Sequence, residues 1–265
     1  MATNSRFHNI VWSELKDGIT PRDVRRYVQL ASVLEPIAEK NGCTTRSKDL
    51  CEFQKLEYFL TAGVNIGDAF EDLASRLPGF PCLTYDLCYR AQADSKKNRR
   101  GRRTNQGIIE FLFPLVISQV SNNLTDPDQI IGQVPYVLEK TSSKDAFWLQ
   151  KMQNLAFEMS GYYHRIFSIC EETNILSYYQ KRLNNSVSHS DKFHNQEIVA
   201  NYPTLEYMLR ILTNYEVAPL SKSMQYVYDK VREEQPEMPT GIIADLTACL
   251  IFLKLVEDRT GKMVK

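Results

Sequence analysis

The sequence predicts an all-α protein, a single compact multi-helix domain, on three observations. Apolar residues recur at helical spacing in segment after segment. Runs of alternating β-branched residues are few, and there is no Asn-Gly or Asp-Gly hairpin. No internal repeat or low-complexity linker divides the chain, so one domain is favoured over two across 265 residues.

The first helix opens at Thr20-Pro21, with Asp23 in its first turn, and Val24, Tyr27, Val28, Ala31 and Leu34 form its apolar face. It is expected to end near Pro36 or the Asn41-Gly42 pair. Leu56, Phe59, Leu60, Gly63, Ile66, Ala69, Phe70 and Leu73 make a second face, closed by Leu77-Pro78-Gly79. Tyr85 to Ala93 is a short helix that runs into a basic loop. Asn105 or its neighbours can cap the next helix, whose apolar residues from Ile108 to Val120 are dense enough to mark it as the buried central helix. Asp126-Pro127 opens the segment 128–140, and Thr141 to Asp145 reads as a cap before Ala146, Leu149, Met152 and Ala156. A polar stretch from Lys181 to Glu197 precedes three more helices, at 203–213, 221–234 and 240–256.

The composition excludes several classes. With 43% hydrophobic and 24% charged residues the chain has enough apolar side chains for a real core and is not a disordered protein. Lys plus Arg equals Asp plus Glu, at 32 each, so the whole molecule exerts no long-range pull on a polyanion and any phosphate preference must be local. The N-terminal stretch lacks the layout of a signal peptide, and the most apolar run, 108–120, contains Glu110 and Pro114 and is too short to span a bilayer. A soluble, cytoplasmic protein with no membrane partner is the expectation. The six cysteines include no Cys-x-x-Cys pair, so reduced thiols are expected rather than a zinc site or a disulfide framework.

Two stretches carry candidate chemistry. Residues 96–103 place six cations in eight residues and end at Thr104-Asn105-Gln106-Gly107. Arginine forks and a helix N-terminus both suit an anion, whereas a charge run of this kind reads equally as a solvated surface loop. The spacing is not that of a P-loop. The second stretch, 182–189, pairs Arg182 with His189. It resembles the loose Arg-to-His motif of HEPN-type ribonucleases, in which histidine moves a proton and arginine stabilises phosphate charge; the alternative is a polar loop. His189, Asp191 and His194 do not have metal-site spacing. Tyr162-Tyr163-His164 and Tyr178-Tyr179 read as core or interface aromatics.

Read as ordered blocks, the chain resembles the triphosphoribosyl-dephospho-CoA synthase family of all-helical transferases. Residues 30–70, "LASVLEPIAEKNGCTTRSKDLCEFQKLEYFLTAGVNIGDAF", are similar to the family's opening. Lys40 and Gly42 fall on its Pro-Lys-Pro-Gly loop, Arg46 and Asp49 on its polar stretch and Glu57 on its acidic or polar position. Residues 103–118, "RTNQGIIEFLFPLVIS", are similar to its Asn-Thr-His/Asn-x-Gly segment, with Thr104, Asn105 and Gly107 matching. Residues 137–149 resemble its Thr-x-x-Asp-Ala helix start, and residues 204–218, more weakly, a late helix. The order holds across about 190 residues. Glu39 and Asn41 stand where the loop has its prolines, and Pro219-Leu220 where an Arg-Glu pair is expected.

The resemblance implies a transferase that joins ATP to a dephospho-CoA-like acceptor and releases adenine. It implies Lys40, Gly42, Arg46, Arg102, Arg103, Thr104, Asn105 and Gly107 as ATP or substrate contacts. Asp49 and Glu57 are implied as catalytic carboxylates and as ligands of the Mg²⁺ expected with ATP, although a capping or salt-bridge role suits both equally. A phosphorylated nucleotide is the expected partner. Nucleic acid is the alternative, through an RNA-acting or non-catalytic helical protein using Arg182 and His189.

Overall fold

The computed structural model describes residues 18–163, 172–215 and 219–258. Helices begin where the sequence supplies caps. Thr20 accepts from the Asp23 amide at 3.2 Å and Asp23 accepts from the Thr20 amide at 3.0 Å, closing a capping box at the start of α1 (Pro21–Leu34). A 3₁₀ turn, Glu35–Ile37, continues it. Then follow α2 (Leu56–Asn65), α3 (Gly67–Arg76), α4 (Tyr85–Asp94) and α5 (Gln106–Ser121). Two short helices, α6 (Pro127–Gly132) and α7 (Val134–Glu139), lead to α8 (Ser143–Met159). The remaining described helices are α9 (Ile175–Asn184), α10 (His189–Val199), α11 (Pro203–Asn214), α12 (Leu220–Glu234) and α13 (Thr240–Asp258). Among the described residues there is no strand, only isolated bridges at Thr45–Lys48 and Cys51–Gln54. The fold is all-α, as the apolar spacing predicts.

Two apolar helices form the centre. Every residue of α5 from Ile108 to Gln119 is buried, Pro114 included, in the position expected of a central helix. α13 shares that role, because Ile242 to Leu253 pack against α5 on one side and against α1, α11 and α12 on others. Its apolar residues surround the helix just as those of α5 do, so neither helix has a solvent face.

Asp145 joins two helix starts at the rim of this core. One carboxylate oxygen accepts from the Ser142 amide at 2.9 Å and hydroxyl at 2.6 Å, capping α8; the other accepts from the amides of Thr84 at 2.8 Å and Tyr85 at 3.0 Å, capping α4. The Thr141 to Asp145 cap is therefore real, with Ser142 at the N-cap position.

The structure corrects four local expectations. The face from Leu56 to Leu73 is divided at Ile66, where the Gln29 side chain donates to the Val64 carbonyl and fills the space a Cβ on Gly67 would need. The polar stretch 181–197 contains a helix, α10, capped by Ser188 on the Asp191 amide and anchored by buried Asn195, Glu197 and Ile198. Asn105 occupies the N-cap position of α5 without making a cap bond. Tyr162 and Tyr163 are exposed rather than core, while His164 lies outside the described residues; Tyr178 and Tyr179 are buried. The described cysteines, 43, 51, 82, 88 and 249, are free thiols. No described helix is long and apolar enough to cross a membrane.

Buried Glu197 accepts from the Thr204 hydroxyl at 2.5 Å and from the Thr204 amide at 3.3 Å, at the start of α11. Burial pushes its carboxyl up to about 7 against the pull of those bonds. The folded protein therefore holds this proton more tightly than the unfolded chain does, and stability is lost as pH rises through the window from the ordinary carboxylate range to 7. Glu197→Gln is expected to remove this slope, gaining on the wild type by up to about 3 kcal/mol between pH 4.5 and pH 8. Urea unfolding at a series of pH values measures it, and parallel wild-type and variant curves would contradict it.

Candidate functional site

The N-terminal turns of the two central helices face each other, and the space between them is a cavity of about 340 Å³. Asp245, one turn into α13, reaches across to accept from the Ile108 amide of α5. The cap of α5 thus comes from another helix, which is why Asn105 is not needed for it. Gly107 makes this approach possible: a Cβ there would lie 1.9 Å from Asp245 Oδ2. Burial, and then the charges of Glu35 and Glu110, hold the Asp245 carboxyl well above the usual range, against the attraction of Arg103 and the Ile108 amide. This environment favours the protonated form of Asp245.

Glu35 lines the same cavity, and Lys40 sits behind it. The ammonium is 3.1 Å from Glu35 Oε1, donates to the Ala38 carbonyl at 3.0 Å and bonds the Glu35 carbonyl too. All three of its protons are thereby directed at protein oxygens. Burial raises the Glu35 carboxyl and Lys40 pulls it back.

Glu110 is the third carboxyl and the most heavily bonded. Its Oε1 accepts from Gln106 at 2.7 Å; its Oε2 accepts from Gln153 at 2.7 Å and from the Tyr179 hydroxyl at 2.9 Å, and lies 3.1 Å from His194 Nε2. Burial works to raise its pKa, but His194 and the two glutamines outweigh it and hold the group at about 2. Arg103 donates to Gln106 Oε1 at 2.5 Å, so an unbroken chain of bonds runs from Arg103 through Gln106 and Glu110 to His194. Arg103 also lies over the rings of Phe157 and Tyr162, and Arg182 of α9 contributes a second guanidinium to the wall.

At the entrance to α5 the polar groups are not satisfied. Asn105 adopts a left-handed backbone conformation, φ +59°, a costly choice for a residue with a side chain. Both polar atoms of its side chain, and the hydroxyl of the preceding Thr104, are buried without a hydrogen-bond partner among the described residues. Each such orphan costs about 1–3 kcal/mol.

Of the residues expected at a site, Gly42, Arg103, Thr104, Asn105 and Gly107 line this one cavity. Arg102 points outward over the Phe53 ring. Arg46, Asp49 and Glu57 are exposed and lie together on a separate shallow concavity with Lys48 and Lys55. There Asp49 accepts from the Leu56 amide at 2.7 Å, the capping alternative, and Arg46 pairs with Glu39 at 3.2 Å. Among the described residues no group of three or more His, Cys, Asp or Glu is placed to hold a metal ion. Arg182 and His189 do not share a wall: His189 is exposed, its Nε2 2.8 Å from the Glu237 carbonyl, and His194 lines the cavity instead. Glu35 and Asp245 carry no signal in the sequence, His194 enters the sequence reading only as a rejected metal ligand, and Glu110 only as a charge in the apolar run. A glutamate inside an apolar run that predicts complete burial is itself a signal, since such a group must be paired.

The basic loop is only partly a solvated patch. Arg99 turns inward, bonding the Ser95 carbonyl and donating to the Arg102 carbonyl at 2.7 Å, while Lys96 bonds the Gly101 carbonyl. Burial lowers the Arg99 guanidinium to about 10. Lys97 pairs with Asp94, and Arg100 and Arg102 face solvent.

Comparison with family models, with curated proteins and with solved structures found no match.

Proposed function

We propose that this cavity binds ATP or a related phosphorylated nucleotide and supports transfer of its ribosyl group to a hydroxyl acceptor. The observation that carries the reading is the pairing, around one cavity, of two arginines and an unsatisfied Thr104-Asn105 helix entrance with a floor of three carboxyls. The acidic floor repels phosphate, so the phosphates belong beside Arg103 and Arg182 and the sugar over the carboxyls. Positive charge that develops on the sugar as its bond to the base breaks is stabilised by ionised Glu110. Asp245 holds a proton that the departing base nitrogen can take. The C1′–N bond breaks, the base leaves with its electron pair and that proton, and a C1′–O bond forms to the acceptor.

With a dephospho-CoA-like acceptor and release of adenine, this is the reaction implied by the family resemblance. Thr104 and Asn105 would supply hydrogen bonds to the ribose or base, recovering the cost of their orphaned atoms. Mg²⁺ enters the reading as the companion ion of the triphosphate, held mainly by phosphate oxygens.

Calorimetry with ATP, with and without Mg²⁺, tests the proposal; no heat of binding in either condition would refute it. Arg103→Ala is expected to weaken ATP roughly tenfold or more, the loss of a charge-assisted bond, whereas Arg46→Ala leaves affinity unchanged. Equal affinities for wild type and Arg103→Ala would remove this residue from the phosphate site.

A further inference from the structure

The reaction above releases a proton from the acceptor hydroxyl, and one group in the cavity is built to take it. We infer that His194 is the general base of this site, with Glu110 as the residue that positions it. The inference rests on the proposed nucleotide reading for its substrate, and on geometry alone for the base.

Glu110 is surrounded by donors: Gln106, Gln153 and the Tyr179 hydroxyl all point hydrogens at it. Such a carboxylate can only accept from the fourth neighbour, so the 3.1 Å contact fixes the hydrogen of the imidazole on Nε2. In the neutral ring Nδ1 is then the nitrogen with a lone pair. No described residue hydrogen-bonds Nδ1, and His194 lines the cavity. Phe111 holds the ring in plane, 4.4 Å between centres at 30°.

The remaining groups around the imidazole are consistent with a base. Arg182 of α9, Asp191 of α10 and Asp245 of α13 line the same cavity, and Glu197 lies on its own helix. In the transfer step the hydroxyl oxygen forms the bond to C1′, its proton passes to Nδ1, and the leaving base takes the proton of Asp245; exchange with solvent restores both groups. The base acts from the neutral form of the ring, in which Nδ1 is unprotonated, and a hydroxyl nucleophile needs its proton removed only as the new bond forms.

The test uses the full chain with ¹⁵N-labelled histidine rings, assigned through His194→Gln. The expected spectrum has a pyridine-type Nδ1 and a protonated Nε2 for His194, and Glu110→Gln should mix the two tautomers. A proton on Nδ1 in the wild type would overturn the inference whatever the cavity binds. With ATP and dephospho-CoA as probes, His194→Ala is expected to slow adenine release at least about 100-fold with little change in ATP affinity. Adenine release at the wild-type rate would overturn the base role. If ATP does not bind but the expected tautomer is found, the nucleotide reading fails while the positioned base stands for a different hydroxyl substrate.

Discussion

Gly107→Ala is expected to destabilise the protein by about 2 kcal/mol or more and to abolish nucleotide binding. The new Cβ would lie 1.9 Å from Oδ2 and 2.6 Å from Cγ of Asp245. Neither partner can yield cheaply, since α5 and α13 are packed against each other along buried faces. If Asp245 swings away, the Ile108 amide loses its cap; if the helices separate, the core opens. Urea unfolding of Gly107→Ala, Asp245→Ala and the double variant separates these effects. The two substitutions should couple by roughly 1 kcal/mol or more, the double variant being more stable than the sum predicts. Additive losses would show that this contact does not govern the site.

Asp145→Ala is expected to cost about 3 kcal/mol, seen as a fall in melting temperature of roughly 6–12 °C. Its carboxylate serves amides from two helices, Thr84 and Tyr85 at α4 and Ser142 at α8, as well as the Ser142 hydroxyl. Alanine leaves the buried Thr84 and Tyr85 amides without an acceptor, whereas the exposed Ser142 donors can turn to water. Asp145→Asn keeps one oxygen but turns an NH₂ toward the other set of donors, so it should recover less than half of the loss. Calorimetric melting of both variants measures this. Full recovery by asparagine would mean that one oxygen does all the work.

Both substitutions bear on how much the sequence discloses. The helix starts at Thr20-Pro21 and at Thr141 to Asp145 were legible because a cap is a local pattern, written within four residues. The central helix was legible because complete burial leaves an unbroken apolar run. The entrance 103–107 was legible as well, from its arginine, its turn residues and its glycine. What could not be read is what faces that entrance. Asp245 is 138 residues from Gly107 and His194 is 84 from Glu110, so only tertiary packing brings them together. Asp49 and Glu57 show the converse. They neighbour the cavity segment in sequence, yet the tight turns at 45–54 carry them to another face. Glu110 was legible in principle, as a charge in an apolar run, and α10 was hidden because two of its three buried residues, Asn195 and Glu197, are polar.

The cavity is walled by the first turns of the two helices that make up the core, together with the loop residues Gly42 to Thr44, Leu50 and Gln54. Its opening and closing are therefore tied to the most deeply buried helices of the molecule. Amide protons at Ile108 and Ile109 should exchange with deuterium only through global unfolding, and a bound ligand should slow the exchange of the entire core by the ratio of its free concentration to Kd once that ratio is large. A molecule that enters this site is held by the whole fold.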